Sequence, residues 1–239
     1  MSLCSVTLSA NAGICLELDG KSIWIDAVHR HKVDGFSSVS PELWAQMCAD
    51  DSPFRSPELL IFTHRHPDHY SHTLIAEALA RWPQARVISP VDEFRGQLVL
   101  RGARQEARIG TLELHFFALP HEGELYRDTP NYGILISDGA HTILLAGDSE
   151  VAAPQLAEAV AGRRVDLAIL NFPWLCLQKG RRFLEQTLRP EHLLLFHLPF
   201  ACDDTQGYRK AAAFLARRAA QPVDIRLLLE PMQQERYAL

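Results

Sequence analysis

Along the chain, short β-rich apolar runs alternate with polar punctuation and with stretches of helical periodicity. The pattern predicts strands at Ser5–Leu8, Ile14–Leu18, Ser22–Ile25, Leu59–Phe62, Arg86–Ile88 and Leu112–Ala118. Further strands are predicted at Tyr132–Ser137, Thr142–Leu145, Leu167–Leu170, Leu193–Phe196 and Ile225–Leu229, with a hairpin around Asp138-Gly139. Helical periodicity marks Pro41–Met47, Leu74–Arg81, Pro154–Ala161, Arg181–Thr187 and Gln206–Ala219. Ser71 or Thr73 is placed to cap the second of these. The Ala-rich stretch Lys210–Ala220 reads as an outer packing helix on propensity. Strands and helices alternate without a long linker, a low-complexity tract or a solenoid repeat. Residues 1–239 therefore read as a single α/β domain.

Ligand-type residues follow the ends of four of these strands. The run Leu59-Leu60-Ile61-Phe62 leads into His64-Arg65-His66-Pro67-Asp68-His69. His121 follows Leu112–Pro120, Asp148 follows Thr142–Gly147, and His197 follows Leu193–Phe196. Buried strands are rigid, and the loops beyond their ends can turn side chains into one crevice. Four strand ends thus offer seven ligands, five His and two Asp. Imidazole nitrogen and carboxylate oxygen suit zinc and also accept manganese or iron. His64 and His66, two apart in an extended segment, point to the same side and can share one ion. No Cys stands in the cluster, which argues against a thiolate-rich structural zinc site. Such a closed site needs four ligands, whereas seven fit two open ones.

HRHPDH, an isolated strand-end His, AGDS and a final strand-end His together resemble the metallo-β-lactamase-fold hydrolase superfamily. Ala10–Leu18 and Ile23-Trp24-Ile25-Asp26 resemble that family's opening hairpin and its aspartate-ended strand. The likeness runs from about residue 5 to about residue 200. It implies an αββα four-layer sandwich, with two mixed sheets flanked by helices and a dinuclear, usually zinc, centre. Carried over, it implies that His64, His66 and His121 hold the first ion. Asp68, His69 and His197 would hold the second, and Asp148 would bridge the two. A metal-bridging hydroxide would then attack an ester, lactone, amide or phosphoester, with Asp68 orienting it and accepting its proton. Tyr70-Ser71-His72 after His69 departs from the small glycines of glyoxalase-type thioesterases. Glu122-Gly123-Glu124 after His121 departs from the threonine-proline-glycine of many lactamases and thioesterases. Both differences favour a lactonase-like or phosphodiesterase-like branch and leave the substrate open, while the site as a whole reads as that of a hydrolase of a small anionic ester or lactone. A phosphodiesterase or nuclease on the same site, and a metal-binding sensor without turnover, stay open as alternatives.

Composition narrows this picture. The net charge of −5 leaves no basic footprint for long nucleic acid. No apolar run reaches transmembrane length, and Met1–Val6 lacks the shape of a signal peptide. Five scattered Cys without a C-x-x-C pair read as reduced thiols in a cytoplasmic protein, with homo-oligomer formation open. Glu122–Tyr132, leaving the His121 strand end, reads as a mobile wall of the substrate cleft. It offers Arg127 and Asn131 as substrate contacts, and Pro130-Asn131-Tyr132-Gly133 resembles a stretch of the lactonase-related members. Lys179, Arg181 and Arg182 are further candidates to grip an anion, and Trp174 reads either as an aromatic wall or as buried packing. Asp166, Asp203 and Asp204 read as supporting or capping carboxylates. His29 and His31 read as an exposed polar loop, His115, His141 and His192 as structural or exposed, and His72 as a candidate support beside the metal loop.

Overall fold

The computed structural model describes residues 3–219 and 223–239. They form two compact units drawn from interleaved stretches of chain. One holds residues up to 100 with 197–206 and 228–239, and the other holds 101–196 with 207–227.

The first unit carries a seven-stranded mixed sheet ordered β14-β1-β2-β3-β4-β5-β6. Its strands are β1 (Leu3–Leu8), β2 (Ile14–Leu18), β3 (Lys21–Ile25), β4 (Leu59–Ile61), β5 (Arg86–Ser89), β6 (Leu98–Val99) and β14 (Gln234–Ala238). The run from β14 to β3 is antiparallel and the run from β3 to β6 parallel. Two helices flank it, α1 (Pro41–Met47) and α2 (His72–Arg81). Each starts at a serine whose Oγ accepts a backbone N–H three residues on, Ser40 from Leu43 and Ser71 from Leu74. Leu43, Met47, Leu74, Ile75 and Ala78 of these helices pack with Trp24, Leu60, Phe62 and Val87 of the sheet. Trp24 anchors this layer, with Trp44, Phe54 and Trp82 edge-on at 6.3, 5.1 and 4.9 Å. Ile14, Leu16, Ile23, Ile25 and Ile61, on the opposite face, are buried as well. Burial of both faces explains why these strands read as continuous apolar runs.

The second unit carries another seven-stranded mixed sheet, ordered β13-β12-β11-β10-β9-β8-β7. Its strands are β7 (Arg104–Ile109), β8 (Leu112–Leu119), β9 (Asn131–Ser137), β10 (Thr142–Leu145), β11 (Leu167–Asn171), β12 (His192–Phe196) and β13 (Asp224–Leu227). β7 to β10 are antiparallel and β10 to β13 parallel. Asp138 closes the β9–β10 hairpin by accepting the N–H groups of Ala140 and His141 at 2.9 and 2.7 Å. The flanking helices are α3 (Pro154–Val160), α4 (Pro173–Cys176), α5 (Gln178–Phe183) and α6 (Tyr208–Arg218). Leu156, Val160, Trp174, Leu175 and Phe183 bury against Leu135, Leu144, Leu170 and Leu193.

Three strands escaped the sequence pattern, β6, β7 and β14, and each lies at a sheet edge. In β7 the exposed positions are Arg104, Glu106 and Arg108, so no apolar run marks it. Charges of this kind discourage pairing with another chain. The helix expected over Arg181–Thr187 is α5 continued by a π-helical turn, Leu184–Leu188, which Arg189 ends in the left-handed conformation. The Ala-rich helix ends at Arg218, and Ala220 lies outside the described residues.

Candidate metal centre

In the first unit, β3 and β4 are parallel neighbours with Ile25 beside Ile61. Asp26 and the loop after Phe62 therefore leave the sheet side by side. Asp26 takes a left-handed backbone (φ 50°). Its Oδ1 accepts the Thr63 N–H at 2.8 Å, and its Oδ2 accepts the Thr63 hydroxyl at 2.6 Å and the His69 Nδ1–H at 2.9 Å. With its own proton given to Asp26, the Thr63 Oγ accepts the Nδ1–H of His64 at 2.9 Å. Both imidazoles thus carry their proton on Nδ1 and present Nε2 as the electron-pair donor. The ring of His66 stands edge-on to that of His64 at 4.7 Å. Asp26, His64 and His69 also converge within ligating distance of one another. Asp26 bonds His69 directly and reaches His64 through Thr63, so it supports both imidazoles from behind.

Asp68, His69 and His197 form a second convergent group. The Nε2 atoms of His69 and His197 lie 3.2 Å apart, and Asp68 Oδ2 lies 3.8 and 3.7 Å from them. Two imidazole nitrogens around a tetrahedral ion, each at its usual bond length, stand about 3.3 Å apart. A carboxylate beside that pair supplies the negative charge a divalent cation needs, so this donor set fits a metal ion. His197 adopts φ 57°, and the Phe36 ring meets it edge-on at 5.0 Å. Its N–H donates to Asn11 O at 3.1 Å, and Asn11 Nδ2 donates to Asp68 Oδ2 at 3.1 Å.

In the second unit, the ends of β8 and β10 bring His121 and Asp148 together. His121 bridges Ser149, Glu122 N–H donates to Asp148 O at 2.8 Å, and Glu150 N–H donates to Pro120 O at 2.7 Å. His121 gives its Nδ1–H to Glu122 O at 2.7 Å, which again leaves Nε2 as the donor atom for a metal. Asn131 Oδ1 accepts the Asp148 N–H at 3.3 Å, and Asn171 Nδ2 reaches Asp148 Oδ1 at 3.5 Å. All seven expected ligands thus sit at strand ends, five in the first unit and two in the second.

The residues expected around the ligands fared unevenly. Arg127 is exposed beside a 3₁₀ turn, Glu124–Tyr126, and stands 4.0 Å from Glu124. Asn131 is buried and holds the backbone of Asp148. Trp174 is fully buried in the core of the second unit with Phe183 at 5.6 Å, so it is packing and not a cleft wall. Its neighbour Pro173 opens α4, a helix that turns the indole inward. Lys179 pairs with Glu150 at 3.3 Å, and Arg181 caps the carbonyls of Leu175 and Cys176. Asp166 accepts the Thr142 N–H at 2.7 Å as a structural carboxylate. His115, His141 and His192 pair with Glu106, Asp138 and Asp224. His72 opens α2 on the surface, stacked on Phe94 at 4.9 Å.

His29 overturns the expectation of an exposed loop. It is fully buried and its Nε2–H donates to Ala10 O at 3.0 Å. Burial pushes its pKa down to about 4. Polar flanks, Arg30, His31 and Lys32, hid this in the sequence. Thr63 and Asn11 were also missed, because an uncharged side chain that supports a ligand leaves no spacing signature. Asp26 carried one: it follows the apolar run Ile23–Ile25 as the ligands follow theirs.

No family model matches the chain, and no curated protein matches it significantly. Solved structures do match it. Igni18, a metallo hydrolase from the archaeon Ignicoccus hospitalis, is 16% identical with 99% of each chain covered and a TM-score of 0.64. The metallo-β-lactamase fold protein YhfI from Bacillus subtilis is 14% identical, with 99% of this chain and 100% of that chain covered and a TM-score of 0.64. CmlA, a diiron β-hydroxylase from Streptomyces venezuelae, is 16% identical with a TM-score of 0.65, covering 99% of this chain and 54% of its own. The chain has the metallo-β-lactamase fold that its strand-end motifs resemble.

Proposed function

We propose that this chain is a metal-dependent hydrolase that holds two divalent ions, with zinc the expected metal, and acts on a small anionic ester or lactone. The observation that carries the metal reading is the approach of His69 Nε2 and His197 Nε2 to 3.2 Å beside the Asp68 carboxylate. His64, His66 and His121 would hold one ion, Asp68, His69 and His197 the other, and Asp148 would be shared. Ions in such a site supply Lewis acidity, polarising a carbonyl or phosphoryl oxygen and lowering the pKa of water.

The chain's own residues prepare that chemistry. Asp26, directly and through Thr63, keeps Nδ1 of His69 and His64 protonated and their Nε2 atoms available. Glu122 O does the same for His121. Asp68, fixed by Asn11, is placed to accept a proton. The hydrolase reading draws on neighbours such as Igni18, which is named a metallo hydrolase. CmlA, a diiron protein, shares the fold, and His and Asp donors accept iron as well as zinc, so metal analysis decides the ion. Among the described residues no helix is long and apolar enough to cross a membrane.

Metal analysis of the purified full-length chain beside Asp148→Ala, with hydrolysis of lactones, carboxyl esters and phosphodiesters in parallel, tests the proposal. About two ions per wild-type chain, fewer in the variant, and lactone or ester turnover are expected. One ion or none after growth with metal supplied would overturn the two-ion reading. Turnover of phosphodiesters alone would overturn the substrate class.

A further inference from the structure

We propose that Asn11 is a positioning residue for the metal position formed by Asp68, His69 and His197, a role that rests on the metal reading above. Asn11 is completely buried in the turn between β1 and β2. It touches two of the three ligands by different groups: its Nδ2 donates to Asp68 Oδ2 at 3.1 Å, and its backbone O accepts the His197 N–H at 3.1 Å. These ligands lie 57 and 186 residues away in the chain, so the turn is where their separation is set. The amide orientation is forced, because a flipped amide would put its oxygen against the Asp68 carboxylate.

The turn is built to be rigid. Ser9 N–H donates to Gly13 O, and Gly13 N–H donates to Ala10 O, both at 2.8 Å. His29 donates to Ala10 O from beneath at 3.0 Å. A Cβ on Gly13 would fall 2.7 Å from Ala27 Cα and 2.8 Å from Asp26 O, so only glycine lets the turn close on the Asp26 strand end. Asn11 itself sits at φ 51°, a left-handed conformation that asparagine tolerates better than most residues. The Asp68 oxygen that faces both imidazoles thereby receives a fixed neutral donor.

Asn11→Gly separates this role from folding, since glycine keeps the left-handed turn and the backbone acceptor while deleting the amide. The measurement is cobalt(II) titration of the metal-stripped full chain, followed by its visible absorption. Wild type, Asn11→Gly, His64→Ala and the double variant are compared, with thermal melts of the metal-free proteins alongside. In the His64→Ala background, the Asn11 change is expected to weaken cobalt binding by about 10–100-fold, the effect typical of losing a ligand's supporting hydrogen bond. Metal-free melting is expected to stay close to that of the parent. Unchanged affinity in both backgrounds overturns the role of Asn11. So does a loss of affinity matched by a collapsed metal-free fold. A wild-type chain that binds no cobalt overturns the metal reading itself, and the inference with it.

Discussion

Asp26 accepts two hydrogen bonds from Thr63, the backbone N–H at 2.8 Å and the hydroxyl at 2.6 Å. Through them the carboxylate reaches His64, which gives its Nδ1–H to the Thr63 oxygen at 2.9 Å. One buried acid thus orients both His64 and His69, the second directly. Thr63→Val keeps the shape and removes the hydroxyl, leaving the His64 Nδ1–H without this acceptor. Metal affinity is expected to fall about 10–100-fold. Stability is expected to fall by about 1–3 kcal/mol, because buried polar groups lose a partner. Thr63→Ser should restore most of both, and chelator competition with denaturant melts would show it.

His29 makes stability depend on pH. Its pKa in the folded chain lies near 4 against an ordinary 6.5, because burial penalises the charged ring. The neutral ring's contribution is complete above pH 6.5 and is lost as pH falls toward 4. Between pH 7 and pH 5 the linkage amounts to about 2 kcal/mol. Denaturant titrations of the metal-free chain should therefore lose less stability over that interval in His29→Gln than in wild type. Equal losses would mean that the ring is not buried neutral.

Trp174 is expected to behave as core. Trp174→Ala should cost about 3–5 kcal/mol of stability. Among the described residues the indole N–H meets no hydrogen-bond acceptor, so Trp174→Phe loses volume but no bond and should cost less. The Phe variant should hydrolyse substrate with unchanged KM. A raised KM in a stably folded Phe variant would return Trp174 to the substrate cleft.

The cysteines divide by burial. Burial pushes the Cys15 thiol up to about 12, and Cys4 is also fully buried, whereas Cys176 and Cys202 are exposed. Thiolate is the reactive form, so alkylation of the folded chain at pH 8 should label Cys176 and Cys202 and spare Cys4 and Cys15. Peptide mass mapping reads this directly, and early modification of Cys15 would contradict its place in the sheet.

The ligand types, their grouping after apolar runs and the fold were legible in the chain itself. A strand buried on both faces must be continuously apolar, and the residue that follows it is the first free to carry chemistry. That is why His64, His121, Asp148 and His197 stood out, and why Ile14–Leu18 and Thr142–Leu145 matched their strands residue for residue. Edge strands such as β7 and β14 were invisible, because solvent on their outer side permits a polar sequence. Only the tertiary structure could decide what stands behind the ligands. Asn11, His29 and Thr63 are ordinary residues in sequence, and Asp26 shows there only as the end of an apolar run. They acquire roles because β1, β2, β3 and β4 lie side by side in one sheet and deliver their ends to the same place. Hydrogen bonds between residues far apart in the chain are set by that adjacency, which local pattern does not encode.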